Sequence, residues 1–222
     1  MAATFYRDLA EIVTLSLEVS LGAVVLAALL AVPLGAVLAL GRFRGRGALV
    51  LLVNAAMGLP PVVVGLGLYL LFSRAGPLGP LGLLYTPAAM IIAQTILVIP
   101  IIASFTRETV EGLAAEYGDM LAVLRAGFGQ RLLTLLVEAR PALLTAILAG
   151  LGRALSEVGA VMIVGGNIAH YTRVMTTAIT LETSKGNLAL AMALGGILLT
   201  LALGLNLAVG LIRERMQEPT HA

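Results

Sequence analysis

The 222-residue sequence contains no cysteine, no tryptophan and only two histidines, His170 and His221. Without cysteine there can be no disulfide, thiolate catalysis or cysteine-ligated metal, and two histidines are too few for a histidine-rich metal site. Charged residues are also scarce, at 12% against about 25% in soluble domains. A soluble globule of this size cannot bury an apolar fraction of 59%, because much of any folded surface stays exposed. We therefore expect the chain in a lipid bilayer, which excludes a soluble enzyme, a disordered chain and a nucleic-acid-binding protein.

Five stretches are long and apolar enough to cross a bilayer, which takes about 20 residues for about 30 Å of hydrocarbon. They are rich in glycine and alanine, as expected where helices approach closely in lipid. Pro60-Pro61 and Pro100 lie inside two of them and predict kinks. We predict an all-α membrane protein in which residues 1–222 form a single transmembrane domain. The predicted spans are 19–40, 48–72, 87–105, 141–164 and 188–212.

The distribution of lysine and arginine between the loops predicts the orientation of these spans. One set of segments carries nine basic residues and the other set carries four. By the positive-inside rule, the first set is cytoplasmic, the N-terminus is outside and the C-terminus is cytoplasmic. The nine are Arg42, Arg44, Arg46, Arg107, Arg125, Arg131, Arg140, Arg213 and Arg215, and the four are Arg7, Arg74, Arg173 and Lys185.

The longest cytoplasmic loop, residues 106–140, contains an apolar stripe at helical spacing. Two glycines, Gly127 and Gly129, follow it and predict a helix terminus. The stripe fits either a helix lying on the membrane surface or a helix that docks into a groove of a cytoplasmic protein. Four acidic residues but only one basic residue, Arg107, lie before and within the stripe. An anionic leaflet repels acidic side chains, so docking to a protein is favoured over lying on the membrane. The stripe consists of Tyr117, Met120, Leu121, Leu124 and Phe128, and the acids are Glu108, Glu111, Glu116 and Asp119.

Three short segments of this loop resemble the coupling loop of ATP-binding-cassette importer permeases, with its Glu-Ala-Ala, Gly and Pro pattern. They read Asp119-Met120-Leu121, Arg125-Ala126-Gly127 and Glu138-Ala139-Arg140-Pro141. Asp119 replaces the glutamate, and Arg125 stands where a glycine is common. The resemblance implies an importer-permease (MetI-like) core and a role in coupling to the ATPase. The implied coupling residues are Tyr117, Asp119, Met120, Leu121, Leu124, Arg125, Gly127 and Phe128.

A second resemblance points to the substrate class. Residues 152–168, GRALSEVGAVMIVGGNI, are similar to a segment of molybdate and sulfate permeases, and residues 172–179 and 181–186 look like the tungstate-type branch. The implied function is a membrane path for tungstate, or alternatively molybdate or sulfate, by alternating access. The implied partners are a second copy of the chain, two copies of a cytoplasmic ATP-binding subunit, an extracytoplasmic oxyanion-binding protein and membrane lipid.

Arg153 and Glu157 are the only strong charges deep inside a predicted span. An unpaired charge there costs at least about 2.5–3.5 kcal/mol, and the i, i+4 spacing places the two on one helix face. They form either a structural pair packed in the bundle or a charged element of the path, gate or subunit contact. A bare cation on the path would hold a dianion too tightly, because conduction needs weak binding, so Arg153 is not expected to be a tight substrate ligand.

Uncharged polar residues are the other candidates for the path or gate. Hydroxyl groups donate hydrogen bonds to an anion less strongly than arginine does, although threonines in helices also bond back to their own carbonyls. Gly166 and Asn167 end the fourth span and free the backbone to turn. The full candidate set is Gln94, Thr95, Arg153, Glu157, Gly166, Asn167, Thr176 and Thr177.

No GxxxxGK[ST] phosphate-binding loop occurs in the sequence. If ATP drives transport, ATP and Mg²⁺ must bind to a partner subunit, and this chain binds no cofactor and is not an enzyme by itself. A stand-alone channel or secondary carrier is the alternative from a different class. Carriers usually show internal repeats and ionisable relays across several spans, whereas only one span here carries deep charges.

Overall fold

The computed structural model describes residues 2–217 of the chain, with side chains over 7–208 and 210–211. Nine α-helices and a short 3-10 helix make up the secondary structure of these residues, which include no strand. The helices are α1 (Ala2–Leu40), α2 (Arg46–Ala56), α3 (Pro61–Phe72), the 3-10 helix (Gly79–Leu81), α4 (Pro87–Val123), α5 (Phe128–Glu138), α6 (Arg140–Leu155), α7 (Gly159–Gly165), α8 (Met175–Ser184) and α9 (Leu188–Gln217).

Three helices of the described chain are long and apolar enough to cross a membrane alone, within Arg7–Leu40, Pro87–Val123 and Leu188–Ala208. Two further helix pairs qualify together but are sharply bent. The α2–α3 pair bends by 103° and the α5–α6 pair by 71°. If each bent pair is one span, the total is five, which is the predicted number. The α5–α6 pair, however, covers residues 128–155, whereas the predicted fourth span is 141–164.

The bounds of four predicted spans need correction. The second span, 48–72, is not one helix, because α2 ends at Ala56 and Pro61 opens α3. The fourth, 141–164, is interrupted after Leu155 and resumes at Gly159. The first and third belong to longer helices, since α1 begins near the N-terminus and α4 continues through Pro100 to Val123. Hydropathy predicts where lipid lies and says little about where a helix ends.

The core of the bundle is the contact between α1 and α4, which run in the same direction. Gly22 lies against Ile91, and Gly35 lies against Ala103 and Thr106. A Cβ on Gly35 would lie only 2.4 Å from the Ala103 carbonyl oxygen, so the two backbones are as close there as glycine allows. Small residues of α1, among them Ala23, Ala27 and Ala31, are fully buried along the same contact.

The helices that follow α4 pack against this core. Gly150 of α6 faces Val98 and Ile102 of α4, while Gly65 of α3 faces Ala160 of α7. The broken segment α6–α7 is therefore held between α4 on one side and α3 on the other.

The α1–α4 register defines two ends of the bundle. Because Gly35 lies beside residues 103–107, Leu40 at the end of α1 is level with about residue 110. At about 1.5 Å per residue, α4 projects roughly 20 Å beyond α1. We call this end, where α1 terminates and α4 meets α5, the basic end, because Arg42, Arg44, Arg46 and Arg131 lie there.

Candidate functional site

The predicted coupling residues lie at the junction of α4 and α5. Asp119 is on the last turn of α4, Leu124 caps it, and Arg125 turns the chain with a left-handed φ of 51°. Gly127 caps α5, where its backbone N–H donates to the Gln130 side chain at 2.9 Å. Phe128 then opens α5. The prediction of one helix carrying the whole stripe is wrong, because the chain turns at residues 124–127, before Gly129.

This turn divides the stripe into an inner and an outer part. Leu121 is buried and Tyr117 packs beside it, in a cluster with Val110 and Leu135. Four apolar side chains on the outer side form a group that we call the apolar corner: Met120, Val123, Leu124 and Phe128. Their exposed fractions are 50%, 83%, 67% and 54%, respectively.

Val123 is a candidate docking residue that the sequence pattern did not single out. It is spaced i, i+3 from Met120 and precedes Leu124, so the same run of sequence carries two overlapping apolar faces. Only the packing of α4 against α1 and α5 selects which face is buried.

Two of the acids near the stripe are already paired. The Glu111 carboxylate accepts from Arg46 and, at 2.7 Å, from Arg107. Arg107 also reaches Glu108 at 3.4 Å, and Arg46 donates to the Leu38 carbonyl at 2.6 Å. This network ties the start of α2 and the end of α1 to α4. Glu116 and Asp119 remain exposed beside the apolar corner.

Arg153 and Glu157 form the predicted ion pair, at 2.6 Å. The Glu157 side chain is 3% exposed and that of Arg153 is 32% exposed. The second carboxylate oxygen of Glu157 accepts from the Ala160 N–H at 3.0 Å, which caps α7. One carboxylate therefore neutralises Arg153 and starts the helix after the break, while part of the Arg153 side chain stays exposed.

Two other predicted path residues meet this break. Gln94 donates to the Ala154 carbonyl at 2.9 Å, and Thr176 donates to the Glu157 carbonyl at 2.8 Å. The Gln94 side-chain oxygen is buried without a hydrogen-bond partner, beside a cavity of about 10 Å³ that Ser16 and Ser20 also line. The structure therefore brings Gln94, Glu157 and Thr176 together through backbone carbonyls.

The remaining hydroxyl groups are engaged within the protein. Thr95 donates to the Ile91 carbonyl at 2.7 Å, as a helical threonine often does. Thr177 accepts from the Val174 N–H and returns a bond to the Val174 carbonyl, both at 3.1 Å. In this conformation Thr95 bonds within α4 and to the Ala23 carbonyl of α1 at 3.2 Å, while Thr177 bonds at the start of α8. A role of either residue on the path stays a prediction.

Gly166 and Asn167 form the turn after α7. Both have left-handed φ values, 70° and 51°, and a Cβ on Gly166 would meet the Tyr85 ring at 2.7 Å. The Asn167 side chain donates to the Thr177 carbonyl at 3.4 Å. These two residues fix the return of the chain towards α8, and Asn167 contacts α8 next to Thr176.

A second charged group, at the opposite end of the bundle, was missed because its members are distant in sequence. The His170 imidazole Nδ1 lies 2.7 Å from the Glu11 carboxylate. Asp8 is close to both, since the ligand-type atoms of the three side chains lie within 4.8 Å of one another. Arg7 pairs with Glu11 at 3.3 Å, so we interpret the group as an ion-pair cluster that holds α1 to the loop after α7.

Comparison with known proteins identifies the family of this membrane bundle. The model of the binding-protein-dependent transport system inner membrane component family matches residues 31–218. This chain belongs to that family.

Similar proteins cover most of its length. It is 44% identical to the probable anion ABC transporter permease protein of Haloferax volcanii, over 93% of this chain and 91% of the relative. It is 37% identical to the tungstate uptake system permease protein TupB of Peptoclostridium acidaminophilum, over 96% and 94%. It is 32% identical to the molybdenum transport system permease protein ModB of Azotobacter vinelandii, over 78% and 80%.

Membership confirms the predicted class. The chain is a multi-pass membrane permease subunit of an ATP-binding-cassette importer and is not catalytic by itself. It also implies the two partner types of such systems, an ATP-binding subunit and a substrate-binding protein. The alternative of a stand-alone channel or secondary carrier is therefore set aside.

Proposed function

We propose that the chain forms the membrane path of an ATP-driven importer for tungstate or a related tetrahedral oxyanion. The names of its relatives, an anion permease and a tungstate uptake permease, support this substrate class. Two copies enclose the path at a two-fold interface, with the basic end in the cytoplasm as the positive-inside rule requires. ATP and Mg²⁺ belong to the ATP-binding subunits.

The single observation that carries the mechanism is the apolar corner. Four large apolar side chains stand exposed where α4 meets α5, at the end of the bundle that we place in the cytoplasm, outside the hydrocarbon. Exposed apolar groups in a compact cluster mark a protein interface. The ATP-binding subunit takes this corner in a groove, and because α4 continues unbroken to Pro87, movement of the corner is transmitted into the bundle.

The broken α6–α7 segment is the proposed gate. Arg153 is neutralised by Glu157 but part of its side chain is exposed, so it offers an anion a weakened positive charge. A weakened charge suits passage, because the site must release the anion as well as attract it. Movement of the apolar corner and opening of the α6–α7 gate belong to one alternating-access mechanism.

The experiment is co-purification of the permease with its ATP-binding subunit. Val123→Ala/Leu124→Ala should reduce the bound subunit by about ten-fold or more, because the two truncations remove about five CH₂ equivalents, each contributing about 0.8 kcal/mol when buried. Leu29→Ala is the matched control, since Leu29 is 66% exposed on α1 at hydrocarbon depth. Equal recovery of the subunit with both variants would contradict the corner as the docking surface.

Substrate assignment is tested by uptake in cells that express the complete transport system. Labelled tungstate should enter in an ATP-dependent way, with molybdate and sulfate added as competitors. Uptake of labelled tungstate that is insensitive to loss of this chain would overturn the proposal.

A further inference from the structure

An open cleft of about 1090 Å³ lies at the basic end, next to the apolar corner, with which it shares Phe128. It separates the loop between α1 and α2 from the α4–α5 junction. The residues that the structure places around it include four arginines and no acid. The arginines are Arg42, Arg44, Arg46 and Arg131, and the other lining side chains are those of Ala39, Leu40, Phe43, Ala114, Ala115, Ala126 and Phe128.

Three of the four guanidinium groups lack a counter-ion inside the described chain. Arg46 pairs with Glu111, whose other carboxylate oxygen is taken by Arg107. Arg42, Arg44 and Arg131 make no ion pair with any described residue. The Nε of Arg131 is buried and has no hydrogen-bond partner there. Arg131 comes from α5, Arg46 opens α2, and Arg42 and Arg44 belong to the α1–α2 loop. Folding therefore places four positive charges around one cleft, and such a cleft attracts an anion.

The cleft begins at the predicted cytoplasmic end of the first span, where lipid headgroups are expected, and reaches Phe128 at the apolar corner. Leu40 ends the apolar part of α1, and Leu40 and Ala39 line the cleft floor together with the first charged residues of the loop. Phe43 stands at its edge, 44% exposed, as aromatic side chains do at the membrane interface. Charge and apolar surface thus meet at one place, which matches a phosphate attached to acyl chains.

We propose that this cleft binds the phosphoryl headgroup of an anionic lipid of the cytoplasmic leaflet. Phosphate matches the guanidinium geometry, since arginine donates paired hydrogen bonds to it. Free phosphate shares this chemistry, but the apolar residues Ala39 and Leu40 and the position at the end of the first span favour a phosphate that carries acyl chains. Basic pockets between helices on the cytoplasmic side of a membrane are suited to such headgroups. The leaflet assignment rests on the orientation in the proposed function.

The cleft spans the end of α1 and the start of α5, so a headgroup bound to Arg44 and Arg131 would join these two elements.

The test uses the absence of tryptophan from the chain. Phe43→Trp places a single indole at the cleft of the full-length permease, which is reconstituted in phosphatidylcholine containing brominated phosphatidylglycerol or brominated phosphatidylcholine. We expect brominated phosphatidylglycerol to be favoured at the indole by about five-fold or more. Adding Arg42→Gln, Arg44→Gln and Arg131→Gln should abolish this preference. Arg125→Gln/Arg140→Gln, two cytoplasmic arginines outside the cleft, should preserve it.

Several outcomes would overturn the lipid assignment. The first is equal quenching by the two lipids in the Phe43→Trp chain, and the second is loss of the lipid preference in the Arg125→Gln/Arg140→Gln control. The third is loss of the preference when excess inorganic phosphate is added, which would assign the cleft to soluble anions.

Co-purification separates this proposal from the previous one. The triple glutamine variant should retain the ATP-binding subunit, and its loss would assign the cleft to that interface. Failure of the unsubstituted chain to bind the subunit would instead overturn the proposed function.

Discussion

Glu157 links three structural roles in one side chain. Its charge pairs with Arg153, its second oxygen caps α7, and its backbone carbonyl accepts from Thr176 of α8. The spacing of Arg153 and Glu157 predicts the ion pair, whereas the cap depends on a helix break that hydropathy does not reveal. Glu157 is therefore the residue through which the ion pair could act either as a structural element or as part of the gate.

Replacing Glu157 tests the structural part of that role. Glu157→Gln keeps the shape but leaves Arg153 without a counter-charge, so the free energy of unfolding should fall by about 1–3 kcal/mol. Arg153→Gln/Glu157→Gln should recover most of the loss, because two neutral amides need no compensation. Thermal unfolding of the purified chain measures both. A single variant as stable as the unsubstituted chain would show that the pair does not stabilise the break.

Glu182 of α8, a helix outside the candidate spans, predicts a pH dependence of stability. Hydrogen bonds from Lys185 at 3.0 Å and Asn187 at 2.9 Å hold the pKa of its carboxyl below the ordinary value. A pKa lowered in the folded state stabilises the fold above the unfolded value, and that stability is lost as the pH falls through the lowered pKa. Thermal stability should therefore decrease below about pH 4.3.

Two substitutions that each remove one carboxylate test this pH effect, one at Glu182 and one at a control position. Glu182→Gln should flatten the acid limb of the stability profile, whereas Glu116→Gln, at an exposed glutamate of α4, should leave the limb in place. If both variants keep the wild-type profile, the Glu182 contacts do not contribute to it.

At the scale of helices, α4 is the element that sequence patterns describe least well. Apolar content predicts its span to Phe105, but the helix continues to Val123 because Val110 and Leu121 bury against α1 and α5. The apolar stripe then divides at the turn. The residues of the stripe all lie near the α4–α5 junction, and only Met120, Leu124 and Phe128 lie on the exposed side.

The α1–α4 contact predicts a large effect from one methyl group. Gly35→Ala places a Cβ 2.4 Å from the Ala103 carbonyl oxygen, where backbone must move. We expect a loss of about 1–3 kcal/mol, the usual cost of overpacking, measured by thermal unfolding. Gly22→Ala on the same helix is the matched control, because its Cβ would lie 3.4 Å from the Ile91 side chain, an ordinary contact. Equal effects of the two substitutions would contradict the close approach at Gly35.

At the scale of the whole molecule, orientation follows from charge and awaits a direct measurement. The chain has no cysteine, so Arg44→Cys and Ser184→Cys each introduce one thiol at an exposed position, at opposite ends of the bundle. A membrane-impermeant maleimide should label Ser184→Cys in intact cells and Arg44→Cys only after the membrane is opened. The reverse pattern would invert the proposed topology, and with it the assignment of the apolar corner to the cytoplasm.

The sequence by itself determined that the chain lies in a membrane, which segments carry its basic residues, and the family. These follow from sums over short windows and from local motifs, so they need no knowledge of distant contacts. The tertiary structure alone decided where the second and fourth spans break, which face of the stripe is buried, and that Glu111 is neutralised by Arg46. It also decided that Arg131 joins the arginines of a loop about 90 residues earlier in the chain. Each of these depends on pairs of residues far apart in sequence, whose approach is set by packing at small residues such as Gly35 and Gly65.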